Sequence, residues 1–228
     1  MLKTKQQIIK WLDSYNICGY TINKDLSVDV NQSVYLDYKA LKEIPVQFNV
    51  VKGNFYCYYN ELTSLKGCPR EIQGNFSCSY NQLTSLEGCP KEIQGSFDCY
   101  RNKLTSLEGC PKEIQGGFNC SNNKLTSLKG CPREVKGSFD CSNNKLTSLK
   151  GGPKEIHGYF SCYDNKLTSL EGCPQEIQGD FNCYHNKLTS FTNWSKNQFT
   201  FKILKSYIKE EKELIKLFKK EPEWLEFL

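Results

Sequence analysis

The chain has 228 residues and a formal charge of +5, with 38% hydrophobic, 13% aromatic and 24% charged residues and a mean hydropathy of −0.58. That aromatic content and modest charge exclude a disordered chain, and no apolar run approaches the ~18 residues a membrane-spanning helix needs. Residues 1–7 have no apolar stretch behind their lysines, so no secretory signal is expected and the protein reads as cytoplasmic.

The first 52 residues read as an N-terminal cap. Thr4 is a plausible N-cap for a helix that puts Ile8, Ile9, Trp11, Leu12 and Tyr15 on one face. Tyr20 to Asn23 and Leu26 to Val30 alternate around Lys24 and Asp25, which predicts a hairpin. Residues 32–52 are a degenerate copy of the unit that follows. In it Val34, Leu36, Leu41, Ile44 and Val51 stand where Phe55, Cys57, Leu62, Leu65 and Ile72 stand in the next copy.

Residues 53–191 repeat seven times with a period of 21. Gly53 to Gly179, Phe55 to Phe181, Asn60 to Asn186 and Leu62 to Leu188 recur in every unit. A fixed period of this size predicts a solenoid whose turns bury their apolar faces only against each other. Phe97-x-Cys99 has the period of a strand, so Ser96, Asp98 and Tyr100 should point outward. Successive strands should form a parallel sheet on a concave face. The Asn three residues after each Cys is suited to satisfying backbone groups as an internal ladder. Leu104, Leu107 and Ile114 fill the core, Gly109 permits a turn, and Pro111 stops any helix. The return limb is therefore expected to be extended or a single 3₁₀ turn.

Thirteen cysteines follow the same period: Cys57 to Cys183 in one series, Cys68 to Cys173 in another, with Gly152 filling a gap and Cys18 outside both. No CxxC pair occurs and there are only two histidines. The cysteines thus read as small apolar interior side chains, reduced and inert, with neither disulfides nor a metal site.

The spacing of Phe76, Cys78, Asn81 and Leu83 resembles the leucine-rich repeat, although its first Leu would fall at Gln73 while the apolar residue is Ile72. The whole chain, including Tyr20–Asn23 and Ser27–Val30, is similar to leucine-rich-repeat-like proteins encoded by bacteriophages. That resemblance implies a fold but carries no activity. It makes an inhibitor of a host enzyme or defence protein the natural role.

Residues 192–228 read as a C-terminal cap: one long helix or two shorter ones over 198–220, then Pro222 and an apolar tail, Trp224 to Leu228, that is a cap, a docking peptide or a dimer contact. Helical caps at both ends would cover the terminal faces of the solenoid.

Catalysis finds no support. His157 and His185 have no evident nucleophilic partner, Asp98, Asp140 and Asp164 are neighbours only because the repeat stacks them, and no phosphate-binding loop occurs. No cofactor is expected. Lys103, Lys124, Lys145, Lys166 and Lys187 form a column that makes nucleic acid the competing partner, together with the basic C-terminal helix. Yet the repeats hold 15 basic and 14 acidic residues, and Glu61, Asp98, Asp140, Asp164 and Asp180 offset the column. A small-ligand sequestering protein would need a pocket that an open sheet seldom provides.

The outward strand positions discriminate best. They are small and polar in the middle units: Asn119, Ser121, Asn122, Ser138, Ser142 and Asn143. Toward the N-terminus they become Tyr35, Tyr38, Tyr56, Tyr58, Tyr59, Tyr80 and Tyr100, with Arg101 beside them; a smaller late group holds Tyr159, Tyr163, Tyr184 and His185. Tyr and Arg dominate interface hot spots, whereas Tyr also simply suits an exposed sheet. The expectation is a non-catalytic solenoid that binds a protein partner through its Tyr-rich N-terminal half. The partner and the oligomeric state are not legible.

Overall fold

A computed structural model describes residues 1–189. Phe191 and the expected C-terminal cap, residues 192–228, lie outside the described residues.

The repeats form a parallel β-solenoid. Eight two-residue strands stack in one sheet, from β3 (Val34–Tyr35) in the degenerate turn through Phe55–Tyr56 and Phe97–Asp98 to Phe181–Asn182. Every pairing is parallel and shifted by one repeat, Phe97 opposite Phe118 and Asp98 opposite Asn119. The in-register stacking puts one phenylalanine ring per turn into the core. From Phe76 to Phe181 the rings are stacked with centroids 5.1 to 5.5 Å apart. Cys99, Leu104, Leu107 and Ile114 fill the rest of a turn, all buried. Each buried Phe contributes about 1.5–3 kcal/mol by removal from water.

The return limb resolves to the extended alternative; no 3₁₀ turn occurs among the described residues. The Cys110 N–H closes a turn onto the Leu107 carbonyl at 3.0 Å, with Gly109 at φ +94°. A turn with positive φ at its third residue demands glycine there. Past the buried Pro111 the chain is already extended, so Glu113–Ile114 forms a strand instead of a helical turn. These Glu-Ile strands build a second parallel face. It runs from β1 (Tyr20–Ile22) and β2 (Val28–Val30) through β4 (Phe48–Val51) to Glu92–Ile93, and resumes at Glu113–Ile114 as a separate four-stranded sheet. Glycine at the corner between the faces is fixed by close approach: a Cβ on Gly74 would lie 2.8 Å from the Gly53 carbonyl carbon.

The N-terminal end matches its expected parts. Helix α1 (Lys5–Ser14) is capped by Thr4, whose Oγ1 accepts the Gln7 N–H at 3.3 Å. Ile8 and Leu12 are buried, but Ile9 is exposed: it lies 100° around the helix from Ile8 and is no part of the buried face. β1 and β2 form the antiparallel hairpin, Tyr20 opposite Val30. Asp29 ties this hairpin to β4, accepting from the Asn23 and Asn49 side chains at 3.0 and 2.8 Å and from the Val50 N–H at 3.1 Å. Burial pushes its carboxyl up, but these three donors more than offset that and hold it below the usual value. Val34, Leu36, Leu41, Ile44 and Val51 are all buried, in register with the repeats.

Two expectations need correction. The second cysteine series is not wholly interior: Cys68 is buried, but Cys89, Cys110, Cys131 and Cys173 are partly exposed, because the turn that carries them lies at the corner of the coil. And the small outward residues are not free of the fold. Ser77, Ser79, Ser121, Ser142 and Ser161 are at most 8% exposed, and their neighbours one turn away are mostly larger: Ser77 lies between Tyr56 and Asp98, and Ser161 between Asp140 and Asn182. Their hydroxyls bond along that face, Ser77 to Ser79 at 3.0 Å and Ser142 to Ser161 at 2.7 Å.

Candidate functional site

The site is built on the asparagine ladder. Asn81 Oδ1 accepts the Leu62 N–H of the previous turn at 2.9 Å, and its Nδ2 donates to the carbonyls of Cys57, Cys78 and Ser79 at 2.9 to 3.2 Å. Asn102, Asn123, Asn144, Asn165 and Asn186 repeat the pattern. The chain turns at the residue before each Asn, which is left-handed in every turn: Tyr59, Tyr80, Arg101, Asn122, Asn143, Asp164 and His185, and Tyr38 before Lys39 at the same place of the degenerate turn, all with φ between 50° and 54°.

That column reveals a conflict invisible in a binary pattern. Asn and Asp tolerate the left-handed region, and the middle turns use them. An ordinary L-residue there costs roughly 1–2 kcal/mol, yet three successive N-terminal turns place tyrosine in it.

The three tyrosines stack. Tyr38 lies on Tyr59 at 4.6 Å and Tyr59 on Tyr80 at 3.9 Å, with ring planes within 14° of parallel. The Arg101 guanidinium covers Tyr80, 5.3 Å from the ring centroid. The other predicted residues flank the stack: Tyr58 meets Tyr38 and Tyr59 edge-on at 5.5 and 6.1 Å, Tyr56 bridges Tyr58 and Tyr35, and Tyr100 packs against Tyr80 at 5.1 Å. All eight N-terminal residues thus form one contiguous surface. Tyr35 and Tyr38 are its most exposed members, at 57% and 64%.

Electrostatically the stack is a hydroxyl chain. The Tyr59 hydroxyl donates to Tyr80, which with desolvation pushes its pKa up to about 12. Tyr80, accepting from Tyr59, Tyr100 and Arg101, is held below the usual phenol value. Burial, and then the Asp37 carboxylate, raise Tyr58. Asp37 itself was missed by sequence reasoning. It takes the strand place that Tyr58 takes one turn later, and its Oδ1 is buried without a hydrogen-bond partner. The only sequence signal was an acidic residue inside the tyrosine run.

Tyr163 packs on His185 at 4.9 Å, and Tyr184 follows Tyr163 in the same column. Tyr159 stands apart on the position before Phe160, exposed, its N–H held by Ser138. The lysine column is exposed, and none of Lys103, Lys124, Lys145, Lys166 and Lys187 has a carboxylate within 4.0 Å among the described residues. The ion pairs among the described residues join other neighbouring turns: Lys129 to Glu108, Lys150 to Glu171, and His157 to Glu134. One open cleft of about 480 Å³ lies where the Glu-Ile face breaks between Ile93 and Glu113, and another of about 330 Å³ adjoins the tyrosine surface, lined by Tyr15, Asn16, Ile17, Gln32, Ser33 and Tyr35. No group of three or more metal-ligating side chains, and no helix long and apolar enough to cross a membrane, occurs among the described residues.

Fold and surface together define a parallel β-solenoid with a tyrosine-lined end. No family model, curated protein or solved structure matches the chain.

Proposed function

We propose that the protein is a non-catalytic recognition solenoid that binds a protein partner in the cytoplasm through Tyr35, Tyr38, Tyr56, Tyr58, Tyr59, Tyr80, Tyr100 and Arg101. One observation carries this reading: tyrosine occupies the left-handed column in three successive turns, Tyr38, Tyr59 and Tyr80, and stacks there, where the middle turns use Asn and Asp and the last uses His185. A β-sheet preference for tyrosine does not explain residues that lie outside the strands and against their own backbone preference. Backbone strain repeated in three adjoining turns of one surface supports a functional demand there. The rings also immobilise one another, so little side-chain entropy remains to be lost on binding.

The leucine-rich-repeat kinship is part of the same reading, supported by the Phe76, Cys78, Asn81 and Leu83 spacing and by the asparagine ladder. A phage origin, and a role as inhibitor of a host enzyme or defence protein, rest on the whole-chain resemblance. The experiment is an affinity capture from host lysate with wild type and with the Tyr56→Ser, Tyr58→Ser, Tyr80→Ser variant, followed by direct titration of the purified candidate. A protein bound by wild type and lost by the variant supports the reading. Capture that is unchanged, or only nuclease-sensitive material, overturns it.

The unpaired lysine column favours a second reading, nucleic-acid binding along Lys103 to Lys187. It predicts affinity that falls steeply with salt, measurable by fluorescence anisotropy on single- and double-stranded probes.

A further inference from the structure

The stack has two unlike ends. At one, Tyr80 is covered by a guanidinium, that of Arg101. At the other, Tyr38 gives one face to Tyr59, touches Tyr58 edge-on and is otherwise open, 64% exposed. Immediately beside it is Asp37, whose Oδ1 has no donor and which has no cation within 4.0 Å among the described residues. A buried acceptor left without a partner is destabilising, and a carboxylate more so than a neutral group. Tyr38 adjoins this carboxylate in the chain, and Tyr58, one turn on in the same place, interacts with it; their ring centroids are 5.5 Å apart.

We propose that this end is an arginine-binding subsite, in which a guanidinium from the partner stacks on the open face of Tyr38 and donates to Asp37. It rests on the protein-recognition reading and names the partner's chemistry: a segment presenting an exposed arginine. The molecule supplies its own precedent, since Arg101 closes the opposite end of the stack. Guanidinium suits the place because it is planar enough to continue the stack and carries donors in its plane for the carboxylate. Because Oδ1 is buried, the guanidinium reaches it only when the side chains covering it shift. The cleft of Tyr15, Asn16, Gln32 and Ser33, which shares Tyr35 with the subsite, gives the partner's adjoining chain a place to lie.

The test is an NMR titration of the full chain with N-acetyl-arginine amide, set against N-acetyl-citrulline amide, its neutral isostere. The expected result is saturable shifts centred on Asp37, Tyr38 and Tyr58 with millimolar affinity, about tenfold weaker for citrulline and for the isosteric Asp37→Asn variant. Equal binding of both probes to wild type, or no saturable shift at these residues, overturns the proposal without any variant having to fold. The two readings fail separately. A partner captured through the tyrosines with no arginine response sinks only the subsite. An arginine response without a captured partner sinks only the recognition role.

Discussion

Removing Asn81 tests how the ladder holds both the core and the tyrosine surface. Asn81 is 4% exposed and directly follows Tyr80. Asn81→Ala deletes four hydrogen bonds, but three of the groups it serves keep another donor. The Cys57 carbonyl retains Asn60 Nδ2 at 3.0 Å, the Cys78 carbonyl retains Asn102 Nδ2 at 3.0 Å, and the Ser79 carbonyl retains the Tyr59 N–H at 3.1 Å. The Leu62 N–H is left buried with no acceptor. That orphan costs about 1–3 kcal/mol, and the thinned carbonyl bonds add a fraction of the usual ~1 kcal/mol each, so the expected loss is about 2–4 kcal/mol. Asn81→Asp keeps the acceptor for Leu62 but points a carboxylate at three carbonyl oxygens. It must bind a proton to donate, which raises its folded pKa above the unfolded value. Its stability is therefore fullest at acid pH and is lost as pH rises through the folded pKa. Urea unfolding followed by circular dichroism, with hydrogen exchange at the Leu62 amide, measures both. An alanine variant within about 0.5 kcal/mol of wild type, or an aspartate variant indifferent to pH, would refute the ladder's role.

Tyr59→Asn exchanges left-handed strain of about 1–2 kcal/mol for three ring contacts, with Tyr38, Tyr58 and Tyr80, worth about 0.5–1.5 kcal/mol each. Stability should fall by about 1–2 kcal/mol, while partner affinity drops at least about tenfold; a larger loss of stability with binding intact would make the tyrosine structural. Asp98 is raised by burial despite bonds from the Tyr100 N–H and from Ser77 and Ser79, so it favours folding most below the unfolded carboxyl value and less as pH rises through its folded value. Asp98→Asn, which copies Asn119 one turn on, should melt higher than wild type at pH 7, with the difference closing below about pH 3.9. Burial raises the thiols of Cys78, Cys99, Cys120, Cys141 and Cys162. Iodoacetamide on the native protein, read by peptide mass mapping, should therefore modify the exposed Cys18 well before any of these; early labelling of Cys120 would contradict the packed core.

The period, the strand at Phe-x-Cys, the asparagine ladder, the capped helix and the hairpin were legible in the sequence because each depends on contacts one turn or a few residues away. A fixed 21-residue repeat makes every long-range contact a copy of a local one. The eight residues of the N-terminal tyrosine cluster were legible for the same reason, as departures from a repeat that fixes their column. What needed three dimensions was everything set by how neighbouring turns press together. The return limb became a second sheet because a tight Leu107-to-Cys110 turn hands the chain to Pro111 already extended. The outward serines were sealed by larger neighbours one turn away, and the lysine column was left without ion-pair partners among the described residues. Above all, composition makes Tyr59 and Tyr80 ordinary sheet residues; only the backbone geometry shows them holding left-handed positions in a stack that ends beside Asp37 and its unpaired Oδ1. Sequence determined which residues share a column, because the repeat length does so. Tertiary structure decided which of those columns carry strain, because φ depends on where the chain must turn to bring each asparagine inside.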